Sequence, residues 1–557
     1  MAERIFIGVA WPYANGPLHL GHLAGSYLPA DIFARYHRII GNHVLMVSGS
    51  DQHGTPITLR AEDEGVEPKE IVERFHASFL DTWEKMGIDF DLFTTTGTRN
   101  HTETVQQVFL SLLEQGYIYK DTMLLPYSAQ EKRFLPDRYV EGICPHCGHK
   151  KARGDQCDQC GKTLNPIDLI EPRGKRDGSK LEFRESEHFF LKLTSFEHSL
   201  LDWIKRQEHW RPNVLNFSRR FIEDGLKDRA ITRDIEWGIP IPLDGYDNKR
   251  IYVWFEAVIG YWSAAQEWAK NIKSPSSWEQ FLTDPGTKSF YFMGKDNIPF
   301  HTIIWPSILM GVGSMNLPYD VPANEFLNLE GAKLSTSGNW AIWLPDYLEN
   351  FDPDPLRYVL SATMPETSDT NFSWDNFVSR NNRELVATYG NLVHRVLTLT
   401  YMHFNGKFPS PGKMEKDDHM LMDMLPQSLK QAGERLEGCK FRDALGVAMN
   451  LAQSANRYID FMAPWKTIKT DPIRTATTLW ICINVISCLR TLMYPFLPFS
   501  SQNLHEQLGN QGTIQDCGWK LDTITPGQCF PSPQPLFKKL DESIADHQRK
   551  RLEEQSP

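Results

Sequence analysis

At 557 residues the chain exceeds what a single hydrophobic core holds, and ordinary domain sizes imply roughly three to five units. A hydrophobic content of 41% suits globular packing, and no apolar run approaches the roughly 20 residues of a membrane helix, so a bilayer-spanning protein is excluded. A net charge of −11 disfavours a polyanion partner only globally, because an acidic chain still presents basic surface locally.

The N-terminus enters a strand at once, without the charged-then-apolar layout of a secretory signal, so a cytoplasmic protein is expected. Ile5 to Ala10 reads as that strand, followed by a loop with Pro12, Asn15, Gly16 and Pro17, a helix from Leu18 towards Ile40, and a second strand over Val44 to Val47. Strand, helix and apolar strand in this order predict a right-handed crossover in a parallel sheet buried on both faces. Ligands of such doubly wound sheets bind beyond the carboxyl ends of the strands, where Pro12 to His22 and Ser48 to Thr55 fall.

From about residue 116 to 232 the texture changes to charges and a cysteine cluster, after which buried-strand signals return at Ile251 to Phe255 and Ser289 to Met293. The fold class that follows is α/β: a doubly wound nucleotide-binding domain in two halves, 1–115 and 233–324, split by an insertion at 116–232. A linker unit spans 325–377, and helical periodicity over 378–557 predicts an all-α bundle and tail.

His19-Leu20-Gly21-His22 opens the first helix directly after strand and loop. A helix start already favours anions, two imidazoles add donors able to follow a phosphate, and Gly21 admits a ligand close to the backbone. Two surface histidines are the bland alternative, outweighed by the placement. In the insertion, Cys144-Pro145-His146-Cys147 and Cys157-Asp158-Gln159-Cys160 are two CxxC pairs separated by nine residues, a knuckle at 144–160 suited to one structural, four-sulfur zinc site. Disulfides are the alternative, opposed by cytosolic cysteine usage; His146 and His149 are spare ligands that four sulfurs make unnecessary. Gly331-Ala332-Lys333-Leu334-Ser335-Thr336-Ser337-Gly338 is a small-residue loop bearing one cation, able to close over a triphosphate. Alone it would read as a solvated turn; the histidine motif gives it meaning.

The two motifs together resemble the signatures of class I aminoacyl-tRNA synthetases. Within that class the likeness is to the methionyl-tRNA synthetases, carried by Ala10 to Gly16, Gly49 to Thr55, Tyr252 to Ala257, Ile259 to Tyr261, and Gly294-Lys295-Asp296 through Phe300-His301 to Trp305-Pro306. The resemblance implies activation of methionine with ATP and magnesium, then transfer to the terminal adenosine of tRNA(Met). It implies phosphate contacts from the catalytic residues His19, His22 and Lys333, with Gly21, Lys295, Asp296, Ser335 and Thr336 completing the ATP site. Asp51 would bind the α-amino group, and Trp11, Tyr13, Trp254, Tyr261, Phe300, His301 and Trp305 would form the side-chain pocket. A thioether, which hydrogen-bonds weakly, is suited to such an aromatic pocket. Asn391 and Arg395, four apart on one helix face, and Trp465 after a helix break resemble the family's anticodon-reading positions.

Three departures stand out: Thr336 where relatives often carry a second lysine, Trp11 where an aliphatic residue is common, and Glu256 where aspartate is frequent. The rivals are a synthetase for valine, leucine or isoleucine, disfavoured by the short insertion; a silent tRNA-binding paralogue; and a nucleotidyltransferase with the histidine motif alone. The chain stops soon after the helical domain, so a monomer is expected.

Overall fold

The computed structural model describes residues 2–555 apart from 155, 156, 158, 161, 163, 337 and 523. At its centre is a five-stranded parallel sheet in the order Ala323–Asn324, Lys288–Gly294, Arg4–Val9, His43–Ser50 and Leu92–Thr95. Ile5 to Val9 are buried on both faces, as a run of apolar side chains covered by helices requires. The first crossover is as predicted, with one addition: between Leu20–His22 and Leu28–Ile39 the helix widens into a π-helical segment, Leu23–Tyr27.

Strand Arg4–Val9 has Lys288–Gly294 on one side and His43–Ser50 on the other. Strand order therefore reverses at its carboxyl end, the position at which open α/β sheets bind ligands. The chain between Leu92–Thr95 and Lys288–Gly294 carries an antiparallel sheet dominated by the long pairing of Ile118–Ser128 with Glu182–Leu191, and a smaller one built on Val140–Ile143 that holds the cysteines.

One expectation is corrected here. Only Arg250–Ile251 of the apolar run at 251 to 255 is strand; Val253–Asn271 is a helix of 19 residues. Five apolar residues have no period that separates strand from buried helix. The helical continuation decides it, with Glu256 in the first turn where the helix dipole favours a carboxylate.

A three-stranded sheet of Ala332–Lys333, Leu327–Leu329 and Thr370–Phe372 joins the parallel sheet to the helices that follow. Helices Lys416–Glu437, Phe441–Met462 and Pro472–Met493 form the bundle. The last corrects the reading that no apolar run reaches membrane length: it has the length and hydropathy for a span, but 94% of its apolar window is buried inside the fold, so it is the bundle's core helix. The final helix, Ser543–Gln555, folds back, pairing Arg551 with Asp346 and burying Leu552.

One guanidinium fastens these parts together. Arg357 is fully buried, donates to Asp31 at 2.6 Å, and donates to the carbonyls of Met86, Gly87, Pro495 and Phe496. Burial would push the Asp31 carboxyl up, yet Arg35 and Arg357 hold it below its ordinary value. Removing one partner of a buried pair strands the other charge. Arg357→Met is expected to cost about 3–5 kcal/mol, read as a lower denaturation midpoint; a midpoint equal to wild type would show that the contact is incidental.

Candidate active site

The loops beyond the sheet are zipped by backbone hydrogen bonds. Ala14 N donates to Asp51 O at 2.9 Å and Asp51 N to Pro12 O at 2.8 Å, so the first two strand ends form one floor. Leu20 N donates to Ile342 O and Leu344 N to Leu18 O, while the rings of His19 and Trp343 lie 5.8 Å apart. The histidine motif and the segment just after the Lys333 loop are thereby held edge to edge. Gly21 is required at this seam: a Cβ there would stand 2.8 Å from His19 and 3.0 Å from Leu334, the neighbour of Lys333.

His19 caps the helix: its Nδ1 accepts from Gly21 N, and the Nδ1 of His22 accepts from His19 N. With both Nδ1 atoms used as acceptors, the ring proton of each neutral imidazole sits on Nε2. Burial lowers His22 to about 4 and, together with His22, takes His19 well below its ordinary value. The motif thus offers two neutral N–H donors with ring centroids 3.9 Å apart, not two cations.

Of the aromatic positions, Tyr261, His301 and Trp305 are buried and Trp254 and Phe300 partly exposed, with the last two edge to face at 5.3 Å. His301 Nδ1 donates to Asn297 O, which leaves Nε2 to accept from Tyr261 Oη at 2.7 Å. Burial lowers His301 to about 4. His301 belongs to a π-helical segment, Phe300–Ile304, and such widened turns recur at functional sites. Tyr13 lies against Gly54, and Trp11 lies over Gly49 and Gly260, where a Cβ would come within 2.3 Å and 2.8 Å of its ring. Asp51 is buried and accepts from His53 N at 3.1 Å. Burial first, and the Glu256 carboxylate second, push Asp51 up to about 8.

Lys295 ion-pairs with Glu325 and Asp369, both at 2.7 Å, and lies 4.1 Å from the centre of the Phe326 ring. Lys333 lies 5.4 Å from the centre of the same ring, so one aromatic side chain gathers both cations. Asp296 and Thr336 are exposed. Ser335 and Trp340 pair through their backbones and Ser335 Oγ accepts from Gly338 N, closing the loop; Ser337 lies outside the described residues.

All four cluster sulfurs lie within 4.8 Å of one another, with Cys147–Cys157 at 3.6 Å and Cys144–Cys160 at 3.9 Å. A tetrahedron of Zn–S bonds of about 2.3 Å has edges of about 3.8 Å, so the set fits that ion. The separations are far beyond a disulfide bond, and all nine cysteines are free. In the bundle, Asn391 and Arg395 line a cavity of about 660 Å³. Arg395 pairs with Asp460 at 2.8 Å and stands 5.4 Å from the centre of the Trp465 ring, which is 41% exposed. Ala463 at φ 42 makes the break that Pro464 then turns into a new helix.

Residues 5–397 match the family model described as tRNA synthetases class I (M), and residues 408–556 match the anticodon binding domain of methionyl tRNA ligase. The chain belongs to the methionyl class I tRNA synthetases. A curated methionine–tRNA ligase of Dehalococcoides mccartyi is 55% identical over 99% of this chain and 100% of its own length. Its counterpart from Thermomicrobium roseum is 50% identical over the full length of both. The fold is that of Mycobacterium tuberculosis methionyl-tRNA synthetase in complex with methionyl-adenylate, with a TM-score of 0.80, 24% identity and coverage of 96% of this chain and 99% of that one.

Within this synthetase fold the sequence reading missed Phe326, Glu325, Asp369 and Trp343, which carry no motif of their own. Alanine in place of a helical glycine ordinarily stabilises by about 1 kcal/mol. At Gly260 the sign should invert, because Trp11 fills the space: Gly260→Ala is expected to lose about 1–3 kcal/mol, measured by denaturation. Trp11→Leu should return most of that loss, and a stabilised Gly260→Ala would refute the packing described.

Proposed function

We propose that the chain ligates methionine to tRNA(Met) in two steps. The methionine carboxylate attacks the α-phosphorus of ATP, a new O–P bond forms, and pyrophosphate leaves with the electron pair of the broken bond. The terminal ribose hydroxyl of tRNA then attacks the adenylate carbonyl and AMP departs. The observation that carries this reading is the backbone seam between Leu18–Leu20 and Ile342–Leu344, with Gly21 against Leu334, which brings the histidine motif and the Lys333 loop together.

The geometry supports distinct duties. His19 and His22 donate from Nε2 to the phosphate as its charge redistributes, a preorganised role that neutral imidazoles fill without a proton leaving. Lys333 holds the departing pyrophosphate. Lys295, gathered onto the same Phe326 ring, is the second cation where Thr336 supplies none, and Gly21, Asp296 and Ser335 border the nucleotide. Asp51 takes the α-ammonium, and the Tyr261–His301 pair with Trp11, Tyr13, Trp254, Phe300 and Trp305 shapes the thioether pocket. Magnesium arriving with ATP would supply further neutralisation of the triphosphate.

Cys144, Cys147, Cys157 and Cys160 would hold zinc in a closed shell, structural because four sulfurs leave no position for water. Free thiols in such a cluster suit a reducing cytoplasm. The groove of Asn391, Arg395 and Trp465 offers hydrogen bonds and a stacking face to unpaired anticodon bases.

ATP–pyrophosphate exchange with each of the twenty amino acids tests the reading. Exchange should depend on methionine, and Lys333→Met should lower kcat about 10²–10³-fold while Thr336→Ala stays active. Exchange with another amino acid and none with methionine would overturn it.

A further inference from the structure

Behind Asp51 lies a row of buried polar groups that no step above uses. Glu256, 0% exposed, receives His53 Nδ1 at 2.8 Å on one oxygen and His101 Nε2 at 3.0 Å on the other. His101 Nδ1 is 2.8 Å from Ser263 Oγ, two turns along the helix that carries Glu256. Three separate parts of the chain thus meet at one carboxylate: the loop after His43–Ser50, the helix Arg99–Glu114 and the helix Val253–Asn271. A buried carboxylate with both oxygens donated to is rigid and stays charged.

The row ends at Asp51. The His53 backbone N–H donates to Asp51 Oδ1 while the same residue's ring donates to Glu256, so His53 bridges the two acids. We propose that Glu256, held by His53 and His101, is a positioning residue that sets the charge of Asp51 and with it the pH range in which the methionine ammonium is bound. This rests on the reading of Asp51 as the ammonium site.

The groups facing Asp51 are few. From its own loop come the His53 amide and imidazole; from Val253–Asn271 comes Glu256. His101, on Arg99–Glu114, reaches Asp51 only through Glu256, and on its far side it acts on the Glu267 carboxyl. The Trp237 indole, donating to Gln52 O and set against the His53 ring, brings no charge. The Glu256 carboxylate acts on Asp51 more strongly than the opposing His53 imidazole. Burial and the Glu256 carboxylate both disfavour the Asp51 anion and push its carboxyl up to about 8, against the His53 amide and imidazole, which favour it. An arriving ammonium must displace the proton of that carboxyl, and below the break KM for methionine should rise about tenfold per pH unit.

The test is the methionine KM in pyrophosphate exchange from about pH 6 to 8.5, a range chosen to follow a break at the raised acid value as it moves down by about one or two units. Wild type should show the break near 8. Glu256→Gln removes the repelling charge and should move the break to lower pH by at least about one unit, with kcat little changed; Glu256→Asp should restore it toward wild type. A break that stays in place in a folded Glu256→Gln enzyme, checked by its thermal midpoint, would overturn the proposal, as would a KM raised equally at every pH. Asp51→Asn separates the two layers: it should abolish the break, and if the break survives there, the ammonium reading itself fails whatever Glu256→Gln does.

Discussion

A buried guanidinium holds this molecule in register. Arg357, on the helix Pro353–Ala362, reaches Asp31 on the first crossover helix, the carbonyls that end the helix Pro68–Met86, and those just after Pro472–Met493. Four carbonyls and a carboxylate converge on one charge, an arrangement tolerated in the interior only when every donor finds an acceptor. Asp354, three residues earlier, adds a second tie by accepting from Ser500. The parallel sheet, the linker sheet and the bundle therefore meet around a fixed point, and the groove at Arg395 has a defined position relative to the seam at His19.

The site uses a related economy in electrostatics. Its histidines are neutral donors because burial and backbone acceptor duties leave one proton on Nε2, and His301 is fixed as an acceptor for Tyr261 in the same manner. Positive charge is concentrated in Lys295 and Lys333 around Phe326. Lys295 already has carboxylate partners in Glu325 and Asp369, so in the proposed role a phosphate would compete with them.

Much of this was legible from residue order. The first strand, loop and helix announced themselves through an apolar run, Pro and Gly punctuation and helical spacing, and the two CxxC pairs through their spacing. Asn391 and Arg395 shared a face by helical period alone. What escaped reading depends on partners distant in the chain. The run at Ile251 to Phe255 fits strand and buried helix equally, and only its continuation separates them. Trp343 and Phe326 matter because of where the linker sheet sets them, and Arg357 looks like any surface arginine until the fold buries it. The charge of His19 and His22 was equally hidden, since a motif names imidazoles and only burial sets their protonation.

This synthetase fold joins a proposed activation site at the sheet to a proposed base-reading groove in the bundle. Methionylation of tRNA(Met), compared with the same tRNA carrying a replaced anticodon, tests it most directly. Charging should fall at least about tenfold, the worth of roughly one stacked base, while methionine-dependent pyrophosphate exchange without tRNA stays the same. Equal charging of both tRNAs would contradict the account.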